Sequence, residues 1–365
     1  MRQIEGTLSA ELEAHVGMRS VDKAEPFKVS TYRQLMSHIA QLAYLNKDFL
    51  LFFRGQADDF KNRAGSSTFY PNIYRDDYLP SREVFYRYEM LNQASKLLVE
   101  MFEHQNITGY REIKRKKYIQ WSILQHYEVC RTPLLDFTHS VRVACSFAQM
   151  NNSGPVAYIS VFALPYITNR ISINSEHDLV NIRLLSICPP DAMRPYYQEG
   201  YLVGTEDITT DYESKTELDF KNRLVAKFEI PNTTKFWGRG FSKIPESVLY
   251  PKGDKIQKLC DELKVTLEQS LQPGGLGEFL KGWALLEEQL QDRARKFHSR
   301  HFSAREAITT LQKQGSLPKK FAYELDGIRR LRNQIVHRPT TISPGELQAG
   351  VDSLRNVLAM LQRNF

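Results

Sequence analysis

The feature that most constrains the fold is a change of hydrophobic pattern near Leu263. Upstream of it, short apolar runs bounded by glycine and proline alternate with stretches of helical spacing, which predicts an α+β domain. Downstream, apolar residues recur at intervals of three and four, which predicts an all-α bundle of about four helices. We therefore divide the chain into an N-terminal lead-in, an α+β domain, a linker and an all-α helical domain, with boundaries at 1–30, 31–262, 263–277 and 278–365.

Local patterns place the individual elements. The continuous apolar run at 49–53 predicts a buried strand, with a buried helical turn as the alternative. Residues 1–25 carry no sustained pattern and predict a loose lead-in or a partner-facing arm. We predict further strands at 154–162 and 224–230, helices at 31–45, across most of 82–125 and from Val141, and bundle helices at 278–296, 304–314, 319–337 and 344–362.

Composition limits the class of protein. The 365 residues exceed what one core usually supports, so two domains are expected, and 42% hydrophobic residues is ordinary for a globular chain. No apolar run approaches the roughly 20 residues of a membrane-spanning helix. The N-terminus also lacks the apolar core of a signal peptide. We expect no membrane partner and a cytoplasmic location.

Positive charge is concentrated in the last quarter of the chain. Residues 263–365 hold 16 Lys and Arg against 10 Asp and Glu, which accounts for most of the net charge of +7. Such an excess favours an anionic partner, with nucleic acid ahead of membrane. A merely soluble basic surface is the alternative.

The cysteines and histidines do not form a metal-binding pattern. The four cysteines are scattered without Cys-x-x-Cys spacing, which is typical of reduced core thiols. His298 and His301 are close enough in sequence to share an ion, but no third ligand lies near them. We predict no metal site.

The first domain carries an ordered set of short motifs. Arg54 follows a predicted buried strand and precedes Gly55, an arrangement that fixes a cation beside backbone open to close approach by a ligand. The motifs, in order, are Phe53-Arg54-Gly55, Gln125-His126-Tyr127, 132–138, 144–148 and, more weakly, Gln198-Glu199-Gly200-Tyr201. Together they resemble the FRG domain, a bacterial family named for Phe-Arg-Gly, over roughly residues 31–262. Glu128 departs from the family, which usually has glycine there, and the segment 126–134 is about one residue longer than usual.

The order of these elements is also similar to that of ADP-ribosyltransferases. That resemblance implies that Arg54 holds the pyrophosphate of NAD and that Asp136 and Thr138 brace the ribose pocket. Gln198 or Glu199 would occupy the third position, where a glutamate stabilises an oxocarbenium-like transition state. The same cleft would include Gly55, Gln125 and His126.

Two other interpretations of this cleft stay open. The same polar residues are equally compatible with a buried structural network of ion pairs and caps. A pocket that only binds a ligand is the other alternative. His126 itself fits a core histidine better than a catalytic base.

The last domain carries Arg332, Asn333 and His337 on one predicted helix. Asn333 and His337 are four residues apart and share a face, and Pro339 ends the helix so that the dipole favours a protonated His337. The domain resembles HEPN proteins over about 278–365, including Trp283 and Glu287 as a weaker match. That resemblance implies metal-independent RNA cleavage at a site formed across a homodimer. An inactive binding or dimerisation module and an unrelated bundle remain alternatives.

Together these features predict a bacterial toxin-like or phage-defence protein. In that hypothesis the FRG domain senses or modifies a target, such as a phage or host trigger, and the HEPN-like domain cleaves RNA without a cofactor. The first alternative places an NAD-dependent transferase in the FRG domain and gives the helices a role in dimerisation. The second alternative is a non-enzymatic interaction protein.

Overall fold

The computed structural model describes residues 1–76, 79, 81–205, 214–270, 275–297, 303–337, 342 and 344–364. These residues form two compact units, and the chain enters each of them more than once. The sheet unit comprises Met1–Arg75, Trp121–His126 and Pro133–Lys258, and the helical unit comprises Asp76–Gln120, Tyr127–Thr132 and Leu259–Phe365.

The sheet unit is built on one mixed sheet of eight strands in the order β1-β8-β4-β2-β3-β7-β6-β5. β1 pairs with β8 in parallel, and the other pairings are antiparallel. The strands are β1 (Phe27–Lys28), β2 (Leu50–Gln56), β3 (Leu135–Thr138), β4 (Val156–Leu164), β5 (Ile171–Asn174), β6 (Leu179–Arg183), β7 (Gly200–Thr205) and β8 (Leu224–Pro231).

Helices cover the sheet unit and connect its strands. They are α1 (Ala10–Val16), α2 (Tyr32–Leu45), α6 (Val141–Gln149), α7 (Leu184–Ile187), α8 (Arg194–Tyr197) and α9 (Glu246–Leu249), with 3-10 turns at Asn72–Tyr74, Lys215–Leu218, Phe220–Arg223 and Thr234–Trp237. α5 (Lys117–His126) and α10 (Lys255–Ser270) each cross from one unit into the other.

The apolar run around Phe52 and Phe53 forms β2, as predicted, because both faces of this central strand are buried. Phe53 belongs to the core that includes α2 and α6, whereas Phe52 belongs to the core on the other face of the sheet. Side chains alternate along a strand, so a strand that is covered on both sides needs a continuous apolar sequence.

The expected loose lead-in is wrong. Leu12 of α1 is 2% exposed within the α2 and α6 core, and Phe27 of β1 pairs with Phe228 of β8. The backbone N–H of Ile4 also donates to the carbonyl of Asn222 at 3.0 Å. The segment shows no sustained periodicity because its two elements are short: α1 has seven residues and β1 has two.

The helical unit has a core built from Trp283, Leu286 and Leu290 of α11 together with residues of the later helices. α3 packs against α11, and its Tyr86 and Met90 lie against this core. The helices are α3 (Ser81–His104), α4 (Tyr110–Arg115), α11 (Leu276–Arg295), α12 (Ala304–Lys313), α13 (Lys319–His337) and α14 (Pro344–Asn364).

An α/β region with a mixed sheet followed by a helical region is therefore confirmed. The allocation of segments differs from the sequence-based division, since Asp76–Gln120 and Tyr127–Thr132 cluster with the C-terminal helices and the helical unit resumes at Leu259. Within the predicted linker, residues 263–270 continue α10, and residues 271–274 lie outside the described residues.

The sequence predicts neither a membrane-spanning helix nor a metal site. Of the helices that the structure describes, none is long and apolar enough to cross a membrane. Among the described residues there is also no cluster of three or more His, Cys, Asp or Glu side chains suited to a metal ion. His298 and His301 lie outside the described residues.

Candidate functional sites

The sheet opens between β2 and β3, and Arg54 fills the opening. The two strands share a single residue pair, Phe53 with Thr138, whereas β2 pairs with β4 along its whole length. Beyond that pair, Arg54 Nη1 donates to the carbonyl of Asp136 at 2.7 Å. The side chain thus supplies a hydrogen bond that strand pairing does not supply at this point. Burial lowers the pKa of Arg54 to about 10, so the guanidinium stays charged at neutral pH.

Gly55 is required by packing and not by a ligand. A Cβ at this position would lie 1.8 Å from the carbonyl oxygen of Ala144 in α6 and 3.0 Å from the amide nitrogen of Ala148. The expectation that Gly55 leaves room for a ligand is corrected here, because helix backbone occupies that space. The Phe-Arg-Gly tripeptide therefore anchors α6 on the sheet.

Asp136 presents a carboxylate to solvent, and Gln125 and His126 hold it from behind. Gln125 Nε2 donates to Asp136 Oδ2 at 2.7 Å, and His126 Nδ1 lies 3.9 Å from Oδ1. The Asp136 side chain is 43% exposed, whereas that of His126 is 4% exposed. The solvent-facing group of this cluster is the carboxylate, and the imidazole positions it.

The charges around Asp136 favour its ionised form. Partial burial opposes ionisation, but His126, Arg54 and Gln125 together hold the pKa of the Asp136 carboxyl below its ordinary value. Burial lowers the pKa of His126, with Asp136 opposing that shift. At neutral pH the cluster therefore contains a carboxylate, a guanidinium and a neutral imidazole.

Thr138, Gln198 and Glu199 lie beside one another and are tied to backbone. Thr138 Oγ1 lies 3.2 Å from the carbonyl oxygens of both Gln198 and Glu199, which share its single hydroxyl hydrogen. The buried Gln198 donates from Nε2 to the carbonyl of Leu249 at 2.9 Å. Glu199 has an exposed side chain and a φ of 47°, in the left-handed region. Of these residues, Glu199 is the one whose side chain faces solvent.

The structure thus brings Arg54, Gln125, His126 and Asp136 into one cluster. It uses Gly55, Thr138 and Gln198 mainly to hold helix and loop backbone in place. This division supports the structural-network interpretation for the second group of residues. For the first group it leaves an exposed carboxylate next to a fixed cation.

In the helical unit, Arg332 of α13 is held by an ion pair with Glu89 of α3. Their side chains are 21% and 10% exposed, so the pair is largely withdrawn from water. Arg332 Nη1 also donates to Asn333 Oδ1 at 3.1 Å, and the guanidinium carbon lies 6.0 Å from the centroid of the Trp283 ring. Three of the residues singled out in the sequence, Trp283, Arg332 and Asn333, therefore meet.

Glu287 adds a second carboxylate to this cluster. Trp283 Nε1 donates to Glu287 Oε2 at 3.1 Å. Burial raises the pKa of both Glu287 and Glu89, and Arg332 opposes the shift in each case. One guanidinium is thus shared by two carboxylates that burial makes reluctant to ionise.

Sequence reasoning missed Glu89 and Gln93. Both lie on the same face of α3, four residues apart, and are 8% and 1% exposed. Glu89 Oε2, Gln93 Oε1 and Arg332 Nε are all buried without a hydrogen-bond partner among the described residues. Two polar residues four positions apart on a predicted helix were the available signal, although they do not identify the partner.

His337 is the last residue of α13, as predicted, but its side chain lies outside what the structure describes. Arg329 and Arg330 pair with Asp326 at 2.8 and 2.9 Å. Arg330 is 71% exposed, which agrees with a solvent-facing role rather than a place in the Arg332 cluster.

Comparison with known proteins gives one match. Residues 50–155 match the family model of the FRG domain, which confirms the FRG resemblance for that segment. The matched segment runs from β2 through α6 and includes α3, so it contributes to both units. Neither the curated proteins nor the solved structures contain a match to the chain.

Proposed function

We propose that the helical unit is a metal-independent endoribonuclease whose reacting groups are Arg332, Asn333 and His337. The observation that carries this proposal is the arrangement of the Arg332 guanidinium. It is fixed by Glu89 and Asn333 in the same helix, α13, that ends at His337. A cation held in place before the substrate binds costs little reorganisation when charge develops on a phosphate.

The chemistry requires no water in the cleavage step. The ribose 2′-oxygen attacks the adjacent phosphorus and the bond to the 5′-oxygen breaks, which leaves a 2′,3′-cyclic phosphate and a 5′-hydroxyl. The His337 imidazole accepts the 2′-hydroxyl proton and an imidazolium returns a proton to the leaving oxygen. Arg332 stabilises the extra negative charge of the phosphorane. A homodimer that pairs two α13 helices would supply both protonation states.

The test is RNA cleavage by the full chain in EDTA. His337→Gln should lower the rate about 100-fold or more, the usual contribution of a general acid or base. Arg330→Ala is the matched control, since Arg330 is an exposed cation on the same helix. Two results would contradict the nuclease proposal. In the first, the native protein leaves RNA intact, and in the second, His337→Gln cleaves RNA at the native rate.

In the wider proposal, the sheet unit senses a phage or host trigger and the helical unit is the toxin-like effector. A second candidate function is NAD-dependent ADP-ribosyl transfer in the sheet unit. The observation that favours it is the exposed Asp136 carboxylate beside the charged Arg54. In this candidate Arg54 contacts the pyrophosphate and Glu199 occupies the third position.

Loss of NAD on incubation with the protein would test this second candidate. Arg54→Ala should weaken NAD binding, and Glu199→Gln should retain binding while slowing turnover. Equal NAD turnover by the native chain and Arg54→Ala would contradict the proposal of a transferase.

A further inference from the structure

The helical unit contains an open cavity of about 540 Å³ that the functions proposed above do not use. We name it the α3 cavity, because one wall is the first half of α3. The remaining walls are residues 128–131 and the end of α10 around Lys264 and Leu267. Its volume lies in the range of pockets that bind small molecules.

Most of the cavity wall is apolar and firmly supported. Tyr86 and Met90 line it and pack against the core of the helical unit. The Lys281 ammonium lies 5.2 Å from the centroid of the Tyr86 ring and holds it on one face. Val129 and the buried Leu267 complete the apolar surface. Such a wall favours a ligand with an apolar body.

Three cations line the cavity, and they differ in how they are paired. Arg87 donates to Glu83 at 2.9 Å and also pairs with Asp76. Arg131 pairs with Asp76 at 2.9 Å, but half of its side chain is exposed. Lys264 is partly buried and has no hydrogen bond or ion pair among the described residues. A cation at an apolar wall is a favourable partner for one anionic group.

Glu128 lines the cavity and has a backbone conformation that favours glycine. Glu128 has a φ of 55°, in the left-handed region that costs a non-glycine residue about 1 kcal/mol. Glycine would adopt this conformation without strain, yet a carboxylate stands here and lines the cavity. Strain of this kind is often found at ligand sites. A carboxylate at the rim disfavours ligands with several negative charges.

We propose that the α3 cavity binds a small amphiphilic monoanion, with its apolar body on Tyr86 and Met90 and its anionic head on Lys264. Carboxylate and phosphodiester heads both satisfy this chemistry, because each carries a single negative charge. A fatty carboxylate and a cyclic nucleoside monophosphate are the two sources to be distinguished. The proposal is independent of the nuclease and transferase activities.

The test uses 1-anilinonaphthalene-8-sulfonate, a fluorescent aromatic monoanion, and the full chain. Lys264→Gln should weaken its binding about tenfold, the effect of losing one charge-assisted contact. Lys258→Gln is the matched control, because Lys258 is exposed on the same helix and does not line the cavity. Glu128→Gln should strengthen binding severalfold, and Val129→Trp, which fills the cavity, should abolish it. Circular dichroism checks that each variant is folded.

Displacement of the dye then identifies the source of the anion. Decanoate displaces it if the site takes fatty carboxylates, and cyclic AMP displaces it if the site takes cyclic nucleotides. The proposal is overturned if Lys264→Gln and Val129→Trp both bind the dye like the native chain, or if neither competitor displaces it at millimolar concentration.

Discussion

The Asp136 and Arg332 clusters contain similar groups in opposite arrangements. In the sheet unit a carboxylate faces solvent, with a pKa that its neighbours hold below the ordinary value. In the helical unit the cation is largely covered, and its two carboxylate neighbours have pKa values that burial raises. The first cluster presents a charge to solvent, whereas the second is organised around a charge that is already paired.

This difference shows that a sequence motif can mark architecture, chemistry or both. In Phe-Arg-Gly, Gly55 accommodates α6 and Arg54 closes a gap between strands. In the C-terminal motif, Arg332 connects α13 to α3 through Glu89. If Arg332 also acts on RNA, then the same side chain must serve the fold and the reaction.

The largest expected effect is the loss of Glu89. Glu89→Ala removes the ion-pair partner of Arg332, one of the two carboxylates that share its guanidinium, which should lower the free energy of unfolding by about 3–5 kcal/mol. Urea denaturation monitored by circular dichroism measures it. Glu103→Ala is the control on the same helix, since its ion pair with Lys114 is about half exposed and should be worth at most about 1 kcal/mol. Equal losses in the two variants would show that the Arg332 cluster is not held by this pair.

A smaller loss is expected at Gly55. Gly55→Ala forces β2 and α6 apart, which should cost about 3 kcal/mol, the upper end for overpacking. Gly327→Ala is the comparison within α13, because a Cβ there meets nothing within 4 Å. It should stabilise the protein by about 1 kcal/mol through helix propensity. A neutral Gly55→Ala, measured by the same denaturation, would contradict the close contact with α6.

Glu287 should contribute to the pH dependence of the free energy of unfolding. Burial raises the pKa of this carboxyl above 4.5, so the folded state binds a proton that the unfolded state has lost. Its contribution to stability is therefore complete below pH 4.5 and declines as the pH rises through the raised pKa. Glu287→Gln should remove that decline above pH 4.5, whereas Glu288→Gln should keep it. An unchanged slope in Glu287→Gln would contradict the assignment.

The smallest effect, with the opposite sign, is expected at Asp136. Its pKa lies below 3.8 in the folded state, so its contribution to stability is present above that value and declines as the pH falls through the folded pKa. Asp136→Asn should flatten the loss of stability as the pH falls below 3.8. Water and salt screen a side chain that is 43% exposed, which keeps the effect small. Acid unfolding of the two proteins at matched ionic strength measures it.

The sequence predicts elements whose signal is local. The bounds of α13 were predicted as found, because Leu325, Ile328 and Ile335 repeat at helical spacing and are buried together. The hairpin of β5 and β6 was missed, since these short strands depend on pairing with β7 rather than on a pattern of their own.

The candidate sites were predictable only in part for the same reason. Arg54, Asp136 and Arg332 were identified from motifs, but Glu89 was not. Its partner Arg332 lies 243 positions away, and no local pattern records such a distant contact. Placing Asp76–Gln120 with the C-terminal helices likewise depends on long-range packing.

The repeated passage of the chain between the two units also matters during synthesis. α3 is complete at His104, but α11, against which it packs, begins at Leu276. At a translation rate of about 5–20 residues per second, the apolar face of α3 waits about ten to thirty seconds for its partner. Until α11 is synthesised, the apolar face of α3 stays exposed on the ribosome-bound chain, and exposed apolar surface of this kind favours aggregation during folding.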